Sequence, residues 1–272
     1  MQEYKEVLGK KPGPTSVILA GVHGNELPGI KVMNKMMRTL KVNRGRVLLV
    51  FGNPNAVASG KRKTEQNLNR MFKKRHLLTK AERLSYEGLR ATYLKSFLDQ
   101  ADALLDVHAS ETKKTTPFVI CERNGFGIAK HLPFGLMVSG FDKVSPGGTD
   151  EYMNRKGKLG LCVECGYIKD PKAVRRTDTA IRRFLAAMGH IPFPKRHKPK
   201  AQKRMRLRSI YHNQDTPFKL SKHWNDFETV RRGSVVGMDG KNPVRARKDF
   251  VIIFPDNCKT VGEEAFYRLQ KN

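Results

Sequence analysis

The chain of 272 residues is poor in cysteine, tryptophan and acidic residues, and it has no long hydrophobic run. Its four cysteines are too few to form the disulfide framework of a small secreted protein; they are Cys121, Cys162, Cys165 and Cys258. The longest early apolar run, residues 17–22, is far too short to cross a bilayer, and residues 1–11 lack the apolar centre of a signal peptide. We therefore expect a soluble, cytoplasmic protein that does not associate with membranes.

The shortage of acidic residues leaves a large positive charge. Lys and Arg number 53 against 25 Asp and Glu, which gives a formal net charge of +28. Because 39% of the residues are hydrophobic, the chain can still bury a core, and the charge must lie on a folded surface. Residues 195–208 alone contain eight Lys or Arg and no acid. This run is either a solvated linker or a contact for nucleic acid or another polyanion, but it contains no aromatic residue for base stacking.

Residues 1–192 alternate short apolar runs with amphipathic segments, a pattern typical of a sheet covered by helices. Strands are predicted at 17–20, 47–51, 103–107, 117–121, 135–139 and 159–165, and helices after residue 26, over 80–100 and over 171–188. After Gly189 the chain becomes proline-broken and basic, and short β-like pieces follow. We predict an α/β domain over 1–192, a basic linker over 193–204 and a small β-rich domain over 205–272.

Two histidines and a glutamate lie at the ends of predicted strands, where α/β folds commonly bind ligands. His23 and Glu26 follow the first buried strand, and His108 follows the apolar segment 103–107. Two histidines and one carboxylate are the ligands of a catalytic zinc site that keeps one position open for water. The spacing of three residues lets His23 and Glu26 converge on one ion, with His108 arriving from a neighbouring strand. A hydrogen-bonded structural role for each residue alone stays open.

Further polar residues interrupt apolar surroundings. Glu164 lies in a largely apolar strand, where a carboxylate is costly unless it is paired or functional, and beside zinc it could move a proton from water to a leaving amine. Arg62, with Asn69 and Arg70, offers a guanidinium fork and an amide that suit a carboxylate, although solvated surface is the alternative. The lone C-x-x-C of Cys162 and Cys165 has no second pair, so we expect no metal or redox role for it.

In collinear order, these segments resemble the succinylglutamate desuccinylase/aspartoacylase family of zinc carboxypeptidase-like amidohydrolases. The resemblance runs through GVHGNELPG (21–29), GNPNA (52–56), NLNRMF (67–72), LLDVHAS (104–110), VECG (163–166) and IIFPDNCKTVGEEAFYRL (252–269). It implies a mixed central sheet flanked by helices, followed by a small C-terminal β-rich domain.

The resemblance also implies roles for single residues. It implies that one Zn²⁺ is held by His23, Glu26 and His108, and that Glu164 is the general base. Arg62 matches the arginine that polarises the scissile carbonyl, and the residues that match substrate contacts are Asn69, Arg70, Arg155 and Tyr267. Where relatives usually have Asp this chain has Asn67, and Lys73, Lys74 and Arg75 replace a usual Pro-Gly.

The function expected from the residues and the resemblance is removal of an acyl group from a small, anionic N-acyl amino acid by metal-activated water. A carboxypeptidase acting on short peptides is the alternative within the enzyme class, because a carboxylate clamp beside zinc serves that reaction equally well. A polyanion-binding or nucleic-acid-binding protein on a hydrolase scaffold is the alternative outside it. The sequence leaves the oligomeric state open.

Overall fold

The computed structural model describes residues 2–271. Its strands are β1 (Tyr4–Leu8), β2 (Lys11–Ala20), β3 (Arg44–Phe51), β4 (Ala103–Ser110), β5 (Phe118–Cys121), β6 (Leu136–Ser139), β7 (Leu159–Tyr167), β8 (Lys203–His212), β9 (Phe218–Leu220), β10 (Thr229–Val230), β11 (Val235–Asp239), β12 (Asn242–Arg245), β13 (Phe250–Ile253) and β14 (Glu264–Lys271). Its α-helices are α1 (Leu27–Thr39), α2 (Pro54–Ser59), α3 (Lys80–Leu84), α4 (Tyr86–Leu98), α5 (Phe126–Ala129), α6 (Phe141–Val144), α7 (Thr149–Arg155) and α8 (Pro171–Ala187).

Eleven of these strands form one mixed sheet in the order β1-β3-β2-β4-β7-β5-β6-β8-β14-β13-β10. The centre is parallel, through the pairs β3/β2, β2/β4 and β4/β7, and β5 then runs antiparallel to β7. A second, antiparallel sheet follows the order β12-β11-β9. The prediction of a mixed α/β sheet with a small C-terminal β part is confirmed.

Helices cover both faces of the central strands, because the side chains on both faces are apolar and each face must be shielded from water. On one face, α1 and α8 pack over a core that includes Ile18, Leu105 and Phe184. On the other, α4 packs over Leu19 and Leu104. The strands β4 and β7 are thereby enclosed, and their carboxyl ends are the sites at which polar side chains emerge.

Two predicted segments differ from the structure. The helix predicted over residues 80–100 is divided into α3 and α4, because Ser85 has an extended backbone and its hydroxyl accepts the Gly88 amide hydrogen as the cap of α4. The basic run 195–208 is divided between irregular chain and β8, which begins at Lys203 and pairs in parallel with β6. Strands on both sides of the predicted linker therefore share one sheet, and the domain boundaries stay a prediction.

No helix in residues 2–271 combines the length and the apolar character needed to span a bilayer. The C-x-x-C cysteines are buried on opposite faces of β7, since Cys162 packs in one hydrophobic cluster and Cys165 in another. Burial raises the pKa of the Cys165 thiol to about 12. The two sulfur atoms therefore cannot face a common ion, in line with the expectation that this motif is structural.

Candidate active site

The candidate ligands are positioned by two neighbouring strand ends. His23 and Glu26 lie in the turn that links β2 to α1, and His108 lies near the end of β4, which is buried along its whole length. The turn passes very close to α2: a Cβ on Gly24 would lie only 2.0 Å from the Ala56 carbonyl carbon. Glycine is therefore required at this position, and the close approach holds the turn over the ends of the strands.

The three side chains form one buried cluster around the Glu26 carboxylate. His23 Nδ1 lies 2.7 Å from Glu26 Oε1, and His108 Nδ1 lies 3.0 Å from Glu26 Oε2. Each side chain is 3 or 4% exposed. One ligand atom from each residue can be chosen so that all three lie within 4.8 Å of one another. The predicted metal-ligating set is therefore assembled in the fold.

Each imidazole is oriented by a second polar group on its other nitrogen. His108 Nε2 lies 3.2 Å from the carboxylate of Asp106, which also accepts a hydrogen bond from the Thr149 hydroxyl at 2.5 Å. His23 Nε2 instead lies 3.1 Å from the amide oxygen of Asn67. Such partners fix the ring orientation of metal-binding histidines, and a carboxylate raises ligand basicity more than an amide does.

The pKa values of the clustered side chains are shifted so that positive charge lies beside the buried carboxylates. Although burial disfavours the imidazolium, the carboxylates of Asp106 and Glu26 raise the pKa of His108 well above its ordinary value. Burial lowers the pKa of His23. Burial also opposes ionisation of Glu26, but the two imidazoles more than offset this and lower its pKa. The cluster therefore balances its carboxylates with positive charge, which a divalent ion would supply more directly.

The donor set fits zinc. Two imidazole nitrogens and one carboxylate, buried and directed to one point, are the ligand types of catalytic zinc sites with an open coordination position. Asn67 supplies an outer hydrogen-bond partner for His23 Nε2, and the Asp106 carboxylate lies 3.2 Å from His108 Nε2, close enough to pair electrostatically with that imidazole. When bound at such a site, zinc supplies Lewis-acid chemistry: it polarises a carbonyl and makes water easier to deprotonate.

Glu164 lies beside His108 because the two residues are register partners on the parallel strands β7 and β4. Register partners on neighbouring strands project to the same face, so the carboxylate shares the cavity with the ligands. Burial is the largest cause that raises the pKa of Glu164, to about 8, and the Glu26 carboxylate adds to it. The prediction that Glu164 adjoins the ligand cluster agrees with this geometry.

The loop that carries Arg62 and Asn67 is held by a buried carboxylate on α4. Glu87 accepts backbone hydrogen bonds from Thr64 at 2.7 Å and Gln66 at 2.9 Å, and Glu65 donates a third at 3.1 Å. These hydrogen bonds lower the pKa of Glu87 despite its burial. The loop is thereby fixed where Arg62 Nη1 approaches Glu26 Oε1 at 3.3 Å, with half of the Arg62 side chain exposed.

Arg70 reaches the C-terminal part of the chain. Its guanidinium pairs with both carboxylate oxygens of Glu264, at 2.9 and 2.7 Å, and donates to the Tyr267 hydroxyl at 2.7 Å. A fourth N–H donates to the backbone oxygen of Asn69 at 2.8 Å. Because a guanidinium has about five N–H donors, about one remains for a substrate. Arg70 and Tyr267 are thus brought together, as expected, but with Glu264 already between them.

Arg155 is placed differently from the sequence expectation. Its guanidinium donates to Glu151 at 2.6 and 2.8 Å and to the backbone oxygen of Phe72 at 3.0 Å. It is absent from the lining of the cavity, whereas Glu151, its partner, is part of that lining. Arg155 lies one helical turn after Glu151 on α7 and pairs with it outside the lining, which a match in sequence with a one-residue gap could not reveal.

The predicted ligands, Glu164, Arg62, Asn69, Arg70 and Tyr267 all line one cavity of about 1090 Å³. Its acidic lining residues are Glu26, Glu82, Glu111, Asp142, Asp150, Glu151, Glu164, Asp256, Glu263 and Glu264, and its Lys and Arg are Arg62, Lys63, Arg70, Lys73 and Lys113. Ten acids against five bases reverse the balance of the whole chain. The positive charge of the protein is therefore concentrated away from this cavity.

Sequence reasoning missed the functions of Asn67, Glu87 and Glu264. Asn67 was visible only as a departure from a pattern, and its contact with His23 spans 44 residues. Glu87 follows a helix cap at Ser85, a place where an acid is ordinarily explained by the helix dipole. Glu264 lies 194 residues from Arg70 in the sequence, so no local signal joins them.

Known proteins are similar to this chain in sequence and in fold. The sequence pattern of the succinylglutamate desuccinylase/aspartoacylase catalytic domain matches residues 12–191. A succinylglutamate desuccinylase of Pseudomonas putida is 39% identical over 85 residues, which cover 30% of this chain but only 24% of that protein. One from Vibrio vulnificus is 23% identical over 274 residues, which cover 92% of this chain and 78% of that protein.

Solved structures share the fold across nearly the whole chain. The succinylglutamate desuccinylase of Vibrio cholerae superimposes with a TM-score of 0.82 at 20% identity, covering 100% of this chain and 86% of that one. The ectoine utilization protein EutE of Ruegeria pomeroyi gives a TM-score of 0.72 at 20% identity, covering 98% and 88%. With the family pattern matching most of the chain, the protein belongs to the succinylglutamate desuccinylase/aspartoacylase family.

Proposed function

We propose that the protein is a zinc-dependent amidohydrolase that removes the acyl group from an N-acyl amino acid carrying a single carboxylate. The observation that carries the proposal is the convergence of His23, Glu26 and His108 within 4.8 Å, with Glu164 next to His108 across the strand pair. Membership of a family of desuccinylase and aspartoacylase amidohydrolases supports the reaction class.

In the proposed reaction, Glu164 moves the proton. Its raised pKa suits a group that accepts a proton from water and then delivers it to the leaving amine near neutral pH. His23, Glu26 and His108 would hold the metal, and Arg62, half exposed and at the cavity mouth, would donate hydrogen bonds to the carbonyl oxygen as it becomes negative. Asp106 and Asn67 would keep the two imidazoles in their ligating orientation.

The substrate class follows from the donors that remain available. About one Arg70 donor is left to bind a carboxylate, and Arg155 does not line the cavity. The buried Asn69 Oδ1 has no hydrogen-bond partner within residues 2–271, so it can accept the N–H of a substrate amide. The lining acids that have no ion-pair partner in residues 2–271, among them Glu111, Asp256 and Glu263, would repel a second substrate carboxylate placed near them. We therefore propose N-acetyl or N-formyl amino acids rather than dicarboxylic N-succinyl substrates.

The test is a hydrolysis screen of the zinc-loaded protein. N-acetyl, N-formyl and N-succinyl derivatives of neutral, acidic and basic amino acids would be compared with short peptides, by detection of the released amine. We expect turnover of the monocarboxylate N-acyl amino acids. Cleavage of peptides alone would identify the carboxypeptidase alternative, and preference for N-succinyl substrates would refute the single-carboxylate proposal.

The matched control for the screen is His108→Ala. Removing one of three ligands should reduce zinc content from about one ion per chain to near zero and abolish hydrolysis, because a buried metal site with two ligands is weak. Zinc content would be measured by elemental analysis after dialysis. A variant that retained stoichiometric zinc would contradict the ligand assignment independently of any substrate.

A further inference from the structure

One face of β8 carries a row of exposed arginines. Arg204, Arg206 and Arg208 are exposed, whereas Met205 and Leu207 between them pack into the hydrophobic cluster that also contains the cavity-lining Tyr267. Alternate residues of a strand point to opposite faces and repeat about every 6.6 Å. The arginine row therefore lies on the face of the sheet opposite to the catalytic cavity.

Neighbouring elements extend this row. Arg268, on the adjacent β14, lies over the rings of Tyr211 and Phe266 at 5.5 and 5.0 Å from their centroids. Arg208 Nε donates a hydrogen bond to Oε1 of Gln270, which also lies on β14, at 2.9 Å. Toward the other end, Arg204 lies 4.5 Å from the centroid of Phe126 on α5. We call the surface formed by Lys200, Arg204, Arg206, Arg208 and Arg268 the basic face.

Within residues 2–271, no carboxylate forms an ion pair with the basic face. The ion pairs formed by Lys and Arg in residues 2–271 involve Arg46, Arg62, Arg70, Arg90, Arg155, Lys156, Arg176, Arg182, Lys222 and Arg231, and no member of the basic face. A surface that concentrates unpaired arginines on one strand attracts anions strongly. It offers a planar fork to each of several successive phosphates.

An aromatic step adjoins the basic face. The ring of Phe193 is 36% exposed and stacks on the His197 imidazole with centroids 4.4 Å apart and an interplanar angle of 4°. His131 completes the step: its Nδ1 lies 3.0 Å from His197 Nε2, and its ring is tilted by 37° to that of Phe193, with centroids 4.9 Å apart. His131 follows α5 directly, and the Lys200 amide donates to the Lys130 carbonyl oxygen at 2.7 Å. The step and the arginine row are therefore joined through α5.

We propose that the basic face and the aromatic step together bind single-stranded nucleic acid. Arginines in a row would contact successive phosphates, and the exposed ring stack would receive an unstacked base, which a duplex does not present. Stable insertion into an anionic membrane would instead draw on several large apolar side chains beside the charge. Apart from Phe193, the large exposed apolar residues within 2–271 are Tyr4, Leu8, Leu27, Leu77, Leu84, Leu89, Tyr93, Met238 and Val261, none of them in β8, β14 or α5.

The test is fluorescence anisotropy with labelled oligo(dT) and oligo(rU) of about 30 nucleotides, titrated across a range of salt. We expect binding that weakens steeply with salt. The triple variant Arg204→Ala/Arg206→Ala/Arg208→Ala should bind at least about tenfold more weakly, with the slope of log K against log salt reduced by about 2. Replacement of the same three residues by Lys should retain the slope, which separates charge loss from misfolding.

The matched control removes the same charge elsewhere. Lys10, Lys11 and Lys41 are exposed near β1 and β3, at the far end of the sheet from β8. The variant Lys10→Ala/Lys11→Ala/Lys41→Ala should bind within about threefold of the wild type, because contacts with phosphate are local. An equal loss in both triple variants would refute the basic face as the binding surface.

A second variant tests the aromatic step. Phe193→Ala should weaken oligonucleotide binding at least about fivefold while leaving heparin binding unchanged, because only a nucleic acid has bases to stack. Unchanged oligonucleotide affinity, or absence of binding at about 50 mM salt, would refute the proposal. So would cosedimentation with phosphatidylserine vesicles at a salt concentration that releases the oligonucleotide. None of these readouts depends on hydrolysis, so they are independent of the proposed enzymatic function.

Discussion

Ten acidic and five basic residues line the cavity at the carboxyl ends of the strands, whereas the opposite face of β8 presents arginines without carboxylate partners in residues 2–271. The difference follows from solvent. In the cavity, Glu26 is 4% exposed and is compensated by two imidazoles and an arginine, because an isolated buried charge is very costly. On the basic face, water and salt screen the charges, so they persist unpaired.

This comparison predicts that substitutions in the two regions differ in kind. A change of one buried, compensated charge in the cavity or in the loop beside it should leave its partners uncompensated and affect metal binding, turnover or folding. A change of one basic-face charge should leave folding intact and alter only surface electrostatics and the proposed binding of nucleic acid. The following substitutions test this difference, from the largest expected effect to the smallest.

The largest effect on turnover at retained metal content is expected for Glu164→Gln. Loss of general acid–base catalysis should reduce kcat by roughly 10²- to 10⁴-fold, while the zinc ligands, which Glu164 does not join, stay in place. Steady-state kinetics and elemental analysis would measure the two quantities. Glu111→Gln, in an exposed residue of the same cavity lining, is the control and should retain most activity. A fully active Glu164→Gln protein would refute the proposed proton transfer.

A large effect on stability is expected for Glu87→Gln. The side-chain NH₂ of glutamine would point toward backbone N–H groups of the loop, which now donate hydrogen bonds to the Glu87 carboxylate. This clash of donors should reduce the free energy of unfolding by about 2 kcal/mol. Because the pKa of Glu87 is lowered in the folded protein, its stabilisation is complete above the ordinary glutamate pKa and is lost as the pH falls through the folded value.

The pH dependence of the free energy of unfolding shows whether the carboxylate charge of Glu87, rather than substitution in general, causes the loss of stability. Urea unfolding should show a wild-type advantage over Glu87→Gln at about pH 7 that shrinks toward about pH 3. The charged neighbours, Glu65 and Arg90, are unchanged in both proteins; the Glu65 carboxylate accepts the Tyr86 amide and Arg90 donates to the Gly52 oxygen. An advantage that is constant with pH would show that the carboxylate charge is not the cause.

A smaller, favourable effect is expected for Asn67→Asp. A carboxylate opposite His23 Nε2 should raise ligand basicity, as Asp106 does for His108, and tighten zinc binding by about tenfold. Asp retains the oxygen that accepts the Asn69 amide, so the loop should be undisturbed. Competition with a chelator would measure the affinity. If Asn67→Asp and Asn67→Ala both bound zinc with the wild-type affinity, the contact of residue 67 with His23 would have no effect on metal binding.

The smallest effect is expected for Arg206→Glu on the basic face. Relief of repulsion should change the free energy of unfolding by no more than about 0.5 kcal/mol, in the stabilising direction at low salt. Urea unfolding at two salt concentrations would measure this change, and the gain should vanish at high salt. A destabilisation comparable to that of Glu87→Gln would contradict the proposed difference between the two regions.

Sequence reasoning succeeded where chemistry limits the choice of residue. His23, Glu26 and His108 were predictable because polar residues that end buried apolar strands are costly and converge at one sheet edge. Arg155 was predicted at the cavity but lies against Glu151 and Phe72, and its contact with the Phe72 backbone oxygen joins residues 83 apart, which no local pattern shows. The basic run 195–208 was visible as a charge count, but its division at Lys203 depends on pairing with β6, a long-range contact.

The position of β14 has a consequence for biosynthesis. This last strand lies inside the sheet, between β8 and β13, and it carries the Glu264 and Tyr267 that contact Arg70 across 194 residues of sequence. A nascent chain can bring His23, Glu26 and His108 together long before these residues leave the ribosome. The end of the cavity proposed to bind the substrate carboxylate, by contrast, forms only when β14 inserts, and such long-range pairings form slowly. Metal-binding competence should therefore precede substrate-binding competence during synthesis.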